Sequence, residues 1–134
     1  MSNLNPVIIL DANSGDREIH QEGLRKAGCN KLFIHYTEAA ELKTYLESST
    51  RDSMPAMILL DISLPAGAGL ELLKFVKKDP RFLHVPLVVL TASGEEADYD
   101  LAYELGANCY IRKPSDPLEL TQITQSIALL WCLK

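Results

Sequence analysis

Four polar residues stand where apolar runs stop. Asp11 follows "VIIL", Asp61 follows "MILL", Thr91 follows "LVVL", and Lys113 closes "CYIRK" just ahead of Pro114. Carboxylates ligate hard cations and act as nucleophiles, while a hydroxyl and an ammonium donate to anionic oxygens. Taken singly, each has a plainer explanation. An Asp at a strand end caps a turn, a Thr after valines suits a strand, and a lysine before proline sits in solvent. What decides is whether the elements carrying them bring the four together.

The runs "VIIL" (7–10), "MILL" (57–60) and "LVVL" (87–90) are continuously apolar, the pattern of strands buried on both faces of a parallel sheet. "LFIHY" and "CYIR" add two shorter strands. Between them the period turns helical. Ile19, Leu24 and Ala27 share a face up to Gly28; Ala39, Leu42 and Leu46 share another; Leu72, Leu73 and Val76 mark a third helix ended near Pro80. A fourth helix is predicted from Ser93, with Glu96 completing a capping box, through Ala97, Leu101 and Leu105 to Gly106. A fifth starts at cap Asp116 with Pro117 at its first position and shows Leu120, Ile123, Ile127 and Leu130 on one face.

Five strand-helix units in strict alternation predict an α/β fold, an open doubly wound parallel sheet with helices on both faces. In such sheets ligands sit beyond the carboxyl ends of the strands, where strand order reverses. Asp11, Asp61, Thr91 and Lys113 all occupy that edge.

At 134 residues the chain has the length of one domain, 1–134, and no output domain is expected. No run approaches membrane-spanning length and "MSNLNP" has no signal-peptide pattern, so a cytoplasmic location is expected. A net charge of −5 gives no basic footprint for nucleic acid or anionic lipid. Three widely spaced cysteines, Cys29, Cys109 and Cys132, argue for packed, reduced thiols rather than a disulfide framework or zinc site.

The words "LLDISLPAGAGLELL", "VVLTAS" and "GANCYIRKP" resemble the phospho-acceptor, hydroxyl and lysine strands of the receiver domain of two-component response regulators. That resemblance spans essentially the whole chain and implies a flavodoxin-like sheet of five strands in the order 2-1-3-4-5 with five helices. It implies that Asp61 accepts a phosphoryl group from a kinase histidine, that Thr91 hydrogen-bonds the acyl phosphate, and that Lys113 pairs with its oxygens. It further implies a cis Lys113–Pro114 peptide, an aromatic switch at Tyr110, and a Mg2+ ion held by Asp11, Asp61 and the backbone carbonyl of Ser63. Pro65 and Gly69 would shape the loop, Gly69 through a backbone angle other residues dislike. Ser93 stands where the family tunes dephosphorylation.

A phosphorylated Asp61 would draw Thr91 inward, admit the Tyr110 ring, and alter the face made by the fourth helix, fifth strand and fifth helix. The implied partners are a sensor histidine kinase or phosphotransfer protein, with a homodimer through that face. Tyr99, Tyr103, Trp131 and Leu133 supply aromatic and apolar surface there. The tail also resembles the small regulators that pair with bacterial phytochrome kinases. No enzyme activity beyond self-dephosphorylation is expected.

The pattern breaks at one position. Where the family's first strand ends in two adjacent acids, this chain has Asp11 and Ala12. A lost carboxylate predicts weak Mg2+ binding, because attraction to a divalent ion exceeds the repulsion relieved. Asn13 and Asp16, the neighbouring oxygen donors, lie in "NSGD", which reads as turn and cap chemistry. The competing reading is a degenerate receiver that binds partners without phosphorylation. An aspartyl phosphatase fits poorly because position 13, two after Asp11, is Asn, and a flavin module because no Ser/Thr-rich cradle follows the first strand.

Overall fold

The computed structural model describes residues 5–64, 67–92 and 95–132. Strands β1 (Val7–Leu10), β2 (Phe33–Tyr36), β3 (Met57–Leu60), β4 (Leu87–Thr91) and β5 (Cys109–Arg112) alternate with helices α1 (Ser14–Lys26), α2 (Ala39–Glu47), α3 (Ala68–Lys78), α4 (Glu96–Glu104) and α5 (Pro117–Ile127). All strand pairs are parallel and the order is β2-β1-β3-β4-β5. This is the flavodoxin-like arrangement that the sequence led us to expect.

Every residue of β1, β3 and β4 is buried. Successive side chains point to opposite faces, so the apolar runs feed two cores. Ile8, Leu10, Ile58 and Leu60 pack with residues of α2, α3 and α4, while Val7, Ile9, Met57 and Leu59 pack with residues of α1 and α5. Helices α1 and α5 cross closely at Gly23, where an added Cβ would lie 2.7 Å from Thr124 Cβ.

The predicted caps hold at two helices. Asn13 Oδ1 accepts the Asp16 N–H at 3.0 Å, and Asp116 Oδ1 accepts the Leu118 N–H at 2.9 Å. Gly28 and Gly106 both take φ of +106°, the left-handed geometry of a helix stop.

Five expectations are corrected. Helix α4 begins at Glu96, with Glu95 at the cap position and no side-chain cap bond; Ser93, like Pro65 and Leu133, lies outside the described residues. Leu130 is 59% exposed rather than on the buried face, because α5 passes at Ala128–Cys132 into a π-helical turn, whose larger number of residues per turn breaks the 3.6-residue stripe. Gly69 has no positive φ. Its constraint is proximity, since an added Cβ would lie 2.5 Å from Ile62 Cα, whereas Gly67, two residues earlier, is left-handed at φ +70°. Cys29 is buried and disulfide-bonded, whereas Cys109 is a free thiol. No described peptide bond is cis, Lys113–Pro114 included. An X–Pro amide differs little in energy between isomers, and the trans form already delivers the lysine to the sheet edge.

Among the described residues, no helix is long and apolar enough to cross a membrane.

Candidate functional site

Register places the site. Leu10 of β1 pairs with Leu60 of β3, so Asp11 and Asp61 leave adjacent strands at the same height. The Asp61 N–H donates to Leu10 O at 2.9 Å, extending the ladder by one residue. On the other side Thr91 of β4 pairs with Arg112, and the Lys113 N–H donates to Thr91 O at 2.7 Å. The crevice between β1 and β3 is where the strand order reverses.

Lys113 crosses that crevice. Its ammonium donates to Asp11 Oδ2 at 2.6 Å, to Asp16 Oδ2 at 2.9 Å and to Asp61 Oδ2 at 3.0 Å. The lysine side chain is 8% exposed and Asp11 is fully enclosed, so these are partly desolvated, charge-assisted bonds. The other Asp61 oxygen accepts the Ser63 N–H at 2.9 Å and its hydroxyl at 2.6 Å. Thr91 is fully buried at the strand end.

Asp11 is held from three further directions. Its Oδ1 accepts the Asn13 N–H at 2.9 Å, its backbone carbonyl accepts Arg17 Nη1 at 2.7 Å, and its Oδ2 meets His20 Nε2 at 3.2 Å. An ionised carboxylate only accepts, so Nε2 carries the proton in this pair. Nδ1 of His20 is buried and has no hydrogen-bond partner among the described residues. Burial pushes the Asp11 carboxyl up, but bonds from His20, Lys113 and the Asn13 amide outweigh it and hold it below the usual carboxylate value. Burial also works against the Lys113 ammonium, and its bonds to Asp11 and Asp16, with the charges of Asp11 and Asp61, raise its pKa above that of an ordinary lysine.

The structure thus gathers Asp11, Asp61 and Lys113 at one point, with Thr91 and Ser63 on the strand and loop that flank it. Tyr110 lies apart, half-buried on β5, with its ring 5.3 Å from that of Tyr99 and its N–H donating to the Tyr103 hydroxyl at 2.9 Å. Sequence reasoning set aside Asp16 and did not find Arg17 or His20. A signal existed: Asp16 and His20 are four residues apart, on the stripe of α1 that continues through Leu24 and Ala27 to the core. Polar residues on an apolar stripe ask for a partner.

The donor chemistry fits a hard divalent cation, which takes carboxylate and carbonyl oxygens. Among the described residues no group of three or more acidic, His or Cys side chains is arranged to hold a metal by itself, since the ammonium of Lys113 stands where the three carboxylates converge. Ala12, next to Asp11, is exposed and offers no oxygen from its side chain.

Residues 7–125 match the family model described as the response regulator receiver domain. The chain is 29% identical to the response regulator Rcp1 of Synechocystis sp. over 93% of its own length and 87% of that protein. It is 35% identical to the phosphate regulon transcriptional regulatory protein PhoB of Pseudomonas aeruginosa over 85% of its length, spanning about half (47%) of that relative. The Mn2+-bound crystal structure of Rcp1 superposes with a TM-score of 0.87 at 28% identity, over 97% of this chain and 96% of that one. The phosphorylated cyanobacterial phytochrome response regulator RcpA superposes with 0.86 at 32% identity, over 95% and 93%. With that sheet order and that strand-edge cluster, the chain belongs to the response regulator receiver domains of two-component signalling, which are phosphorylated on an aspartate.

Proposed function

We propose that Asp61 is the phospho-acceptor and that Lys113 and Thr91 hold the transferred group. The observation that carries this reading is the Lys113 ammonium 3.0 Å from Asp61 Oδ2 at the reversal point of the sheet. An Asp61 oxygen attacks the phosphorus of a kinase or phosphotransfer-protein phosphohistidine. The P–O bond forms as the P–N bond breaks, and the imidazole leaves with that electron pair. Lys113 then turns from the carboxylates to the phosphoryl oxygens, and the Thr91 hydroxyl donates to another of them.

Asp11, Asp61 and the Ser63 backbone carbonyl would hold a Mg2+ ion, whose charge would offset the repulsion between carboxylate and phosphoryl oxygens. The relative Rcp1 binds Mn2+ in its crystal structure, which supports a divalent site here. Ala12 makes the binding weaker than a paired acid would.

Tyr110 transmits the change. Its ring meets Tyr99 and its backbone meets Tyr103, so a shift of Thr91 and Tyr110 alters the surface of α4, β5 and α5. Tyr99 and Tyr103 are 47% and 40% exposed, which suits a second copy of the chain docking on that face. The protein works in the cytoplasm, and its own chemistry extends no further than losing the phosphoryl group to water.

Incubation with acetyl phosphate and Mg2+, followed by intact mass, tests the assignment. One added phosphoryl group on the wild type, absent in Asp61→Asn, is the expected result. Labelling of Ala12→Asp with none on the wild type, even with a cognate kinase, would instead make this a binding module that is not phosphorylated.

A further inference from the structure

Helices α2 and α3 lie side by side on one face of the sheet, and a groove of about 350 Å³ runs between them. We propose that this groove docks an acidic amphipathic helix of a partner protein, apart from the face of α4, β5 and α5 and with no need of phosphorylation at Asp61.

Neighbouring helices ordinarily close their seam with large side chains, the ridges of one filling the grooves of the other. Here alanines stand on both sides. Ala39 and Ala40 open α2 and Ala68 opens α3, so the seam stays a trench, with the half-buried ring of Phe75 on its floor. The walls are cationic. Lys43 stands on α2, and Lys74 and Lys78 stand one turn apart on α3, against one acid, Glu71, among the described residues that line the groove. Glu71 sits in the first turn of α3, where the helix dipole favours it. Three lysines against one glutamate thus gather positive charge on a single groove of a chain whose net charge is −5.

Exposed lysines on a helix ordinarily make a solvated face. Two observations stand against that here. The Lys43 ammonium lies 5.1 Å from the centre of the Phe75 ring, so it is held over the apolar floor. None of the three lysines forms an ion pair among the described residues, and Lys74 and Lys78, four apart, repel each other. Their charge is left for a partner to meet. A small molecule would need polar groups inside the groove to fix its head, whereas these lysines stand exposed at the rim. A helix suits the shape. Its apolar stripe covers the alanines and Phe75, and flanking carboxylates one turn apart reach Lys74 and Lys78 on one wall and Lys43 on the other. The nine residues of α2 run about 14 Å, room for two to three turns of such a helix.

Fluorescence polarisation of a labelled synthetic helix on the full, unphosphorylated chain tests this, and its failure leaves the assignment of Asp61 untouched. The probe has about 18 residues, enough to hold a helix in water, with leucine and tryptophan on one stripe and glutamate elsewhere. Saturable binding below about 1 mM is expected. Lys74→Glu with Lys78→Glu should weaken it about tenfold or more, and Lys43→Glu should weaken it further. Ala40→Trp, which fills the groove from an exposed position and removes no buried atom, should abolish it. Lys26→Glu, an exposed reversal on α1 across the sheet, should change affinity less than about threefold. Amide shifts of the isotope-labelled protein should cluster in residues 39–43 and 68–78. No binding, equal binding of a peptide scrambled off its stripe, equal weakening by Lys26→Glu, or shifts centred on α4 and β5 would each overturn the proposal. So would self-association of the chain that the lysine variants abolish, which gives the groove to a second copy, and binding of laurate but not of the peptide, which makes it a small-molecule site. Circular dichroism of each variant separates a lost contact from a lost fold.

Discussion

At the level of single residues, the site is a compromise among charges. Three carboxylates share one ammonium, so removing Lys113 leaves buried negative charge uncompensated, whereas removing one carboxylate deletes one attraction and two repulsions that largely offset it. In metal-free buffer Lys113→Met should therefore lose about 3 kcal/mol in urea unfolding, while Asp61→Asn stays within about 1 kcal/mol of wild type. Equal losses in the two variants would contradict this accounting. The pH dependence follows from the same pair. The lowered pKa of Asp11 contributes stability above its unfolded value near 3.9, and that contribution is lost as pH falls through the folded pKa. The raised pKa of Lys113 contributes below about 10.4 and is lost only as pH rises through its folded value. The stability gap between wild type and Lys113→Met, full at pH 8, should narrow steeply below about pH 4; a gap at pH 3 equal to that at pH 8 would refute it. Asp11, Asp61, Thr91 and Lys113 were legible in the sequence because strand ends are easy to locate from apolar runs. Asp16 was not, because the helix dipole favours an acid in the first turn whatever its side chain meets, and only the approach of Lys113 shows that it joins the ion-pair cluster.

Among the elements, those legible in advance are the ones whose signals are local: four-residue apolar strands, Asn13 and Asp116 as caps, Gly28 and Gly106 as stops. Where tertiary packing decides, local signals fail. Leu130 fits a 3.6-residue stripe and is turned outward by the π turn at Ala128–Cys132. Gly69 looks like a residue chosen for its backbone angle and is instead a point where α3 meets the backbone of Ile62. Gly23 is a further case, silent in the sequence and tight in the fold. Thr124 Cβ and Oγ1 both lie 2.7 Å from where an added methyl would sit, and neither is on a long flexible arm, so Gly23→Ala must push α1 away from α5. We expect a loss of about 1–3 kcal/mol in chemical denaturation despite the better helix propensity of alanine, and a stabilised Gly23→Ala would show that the crossing can relax. Helix α4 lies at the other extreme. It buries only Ala102, has no side-chain cap bond and carries no basic residue in its last turn. Little apolar burial holds it, so it is the element that a change at Tyr110 can displace at low cost.

For the molecule as a whole, the exposed tyrosine face and the overall charge pull in opposite directions. Tyr99 and Tyr103 stack edge-on at 4.9 Å and stay 47% and 40% exposed, so a partner covering them gains aromatic contact at small loss of side-chain freedom. Yet the helix that carries them reads "EADYDLAYE", with four acids and no basic residue, in a chain of net charge −5. Bringing two such helices together costs repulsion that salt screens, with a Debye length of about 30 Å at 0.01 M and about 10 Å at 0.1 M. Hydrophobic and aromatic contact is not weakened by that screening. Association of the phosphorylated protein through α4, β5 and α5 should therefore strengthen as ionic strength rises across this range, opposite to a contact built on ion pairs. Sedimentation velocity of wild type and Tyr99→Glu in 0.01 and 0.1 M salt checks it. Wild type should shift toward the dimer at the higher salt, and Tyr99→Glu should stay monomeric at both. A dimer that dissociates with added salt, or one indifferent to Tyr99→Glu, would move the contact to another face and leave the tyrosines to link Tyr110 with α4 inside a single chain.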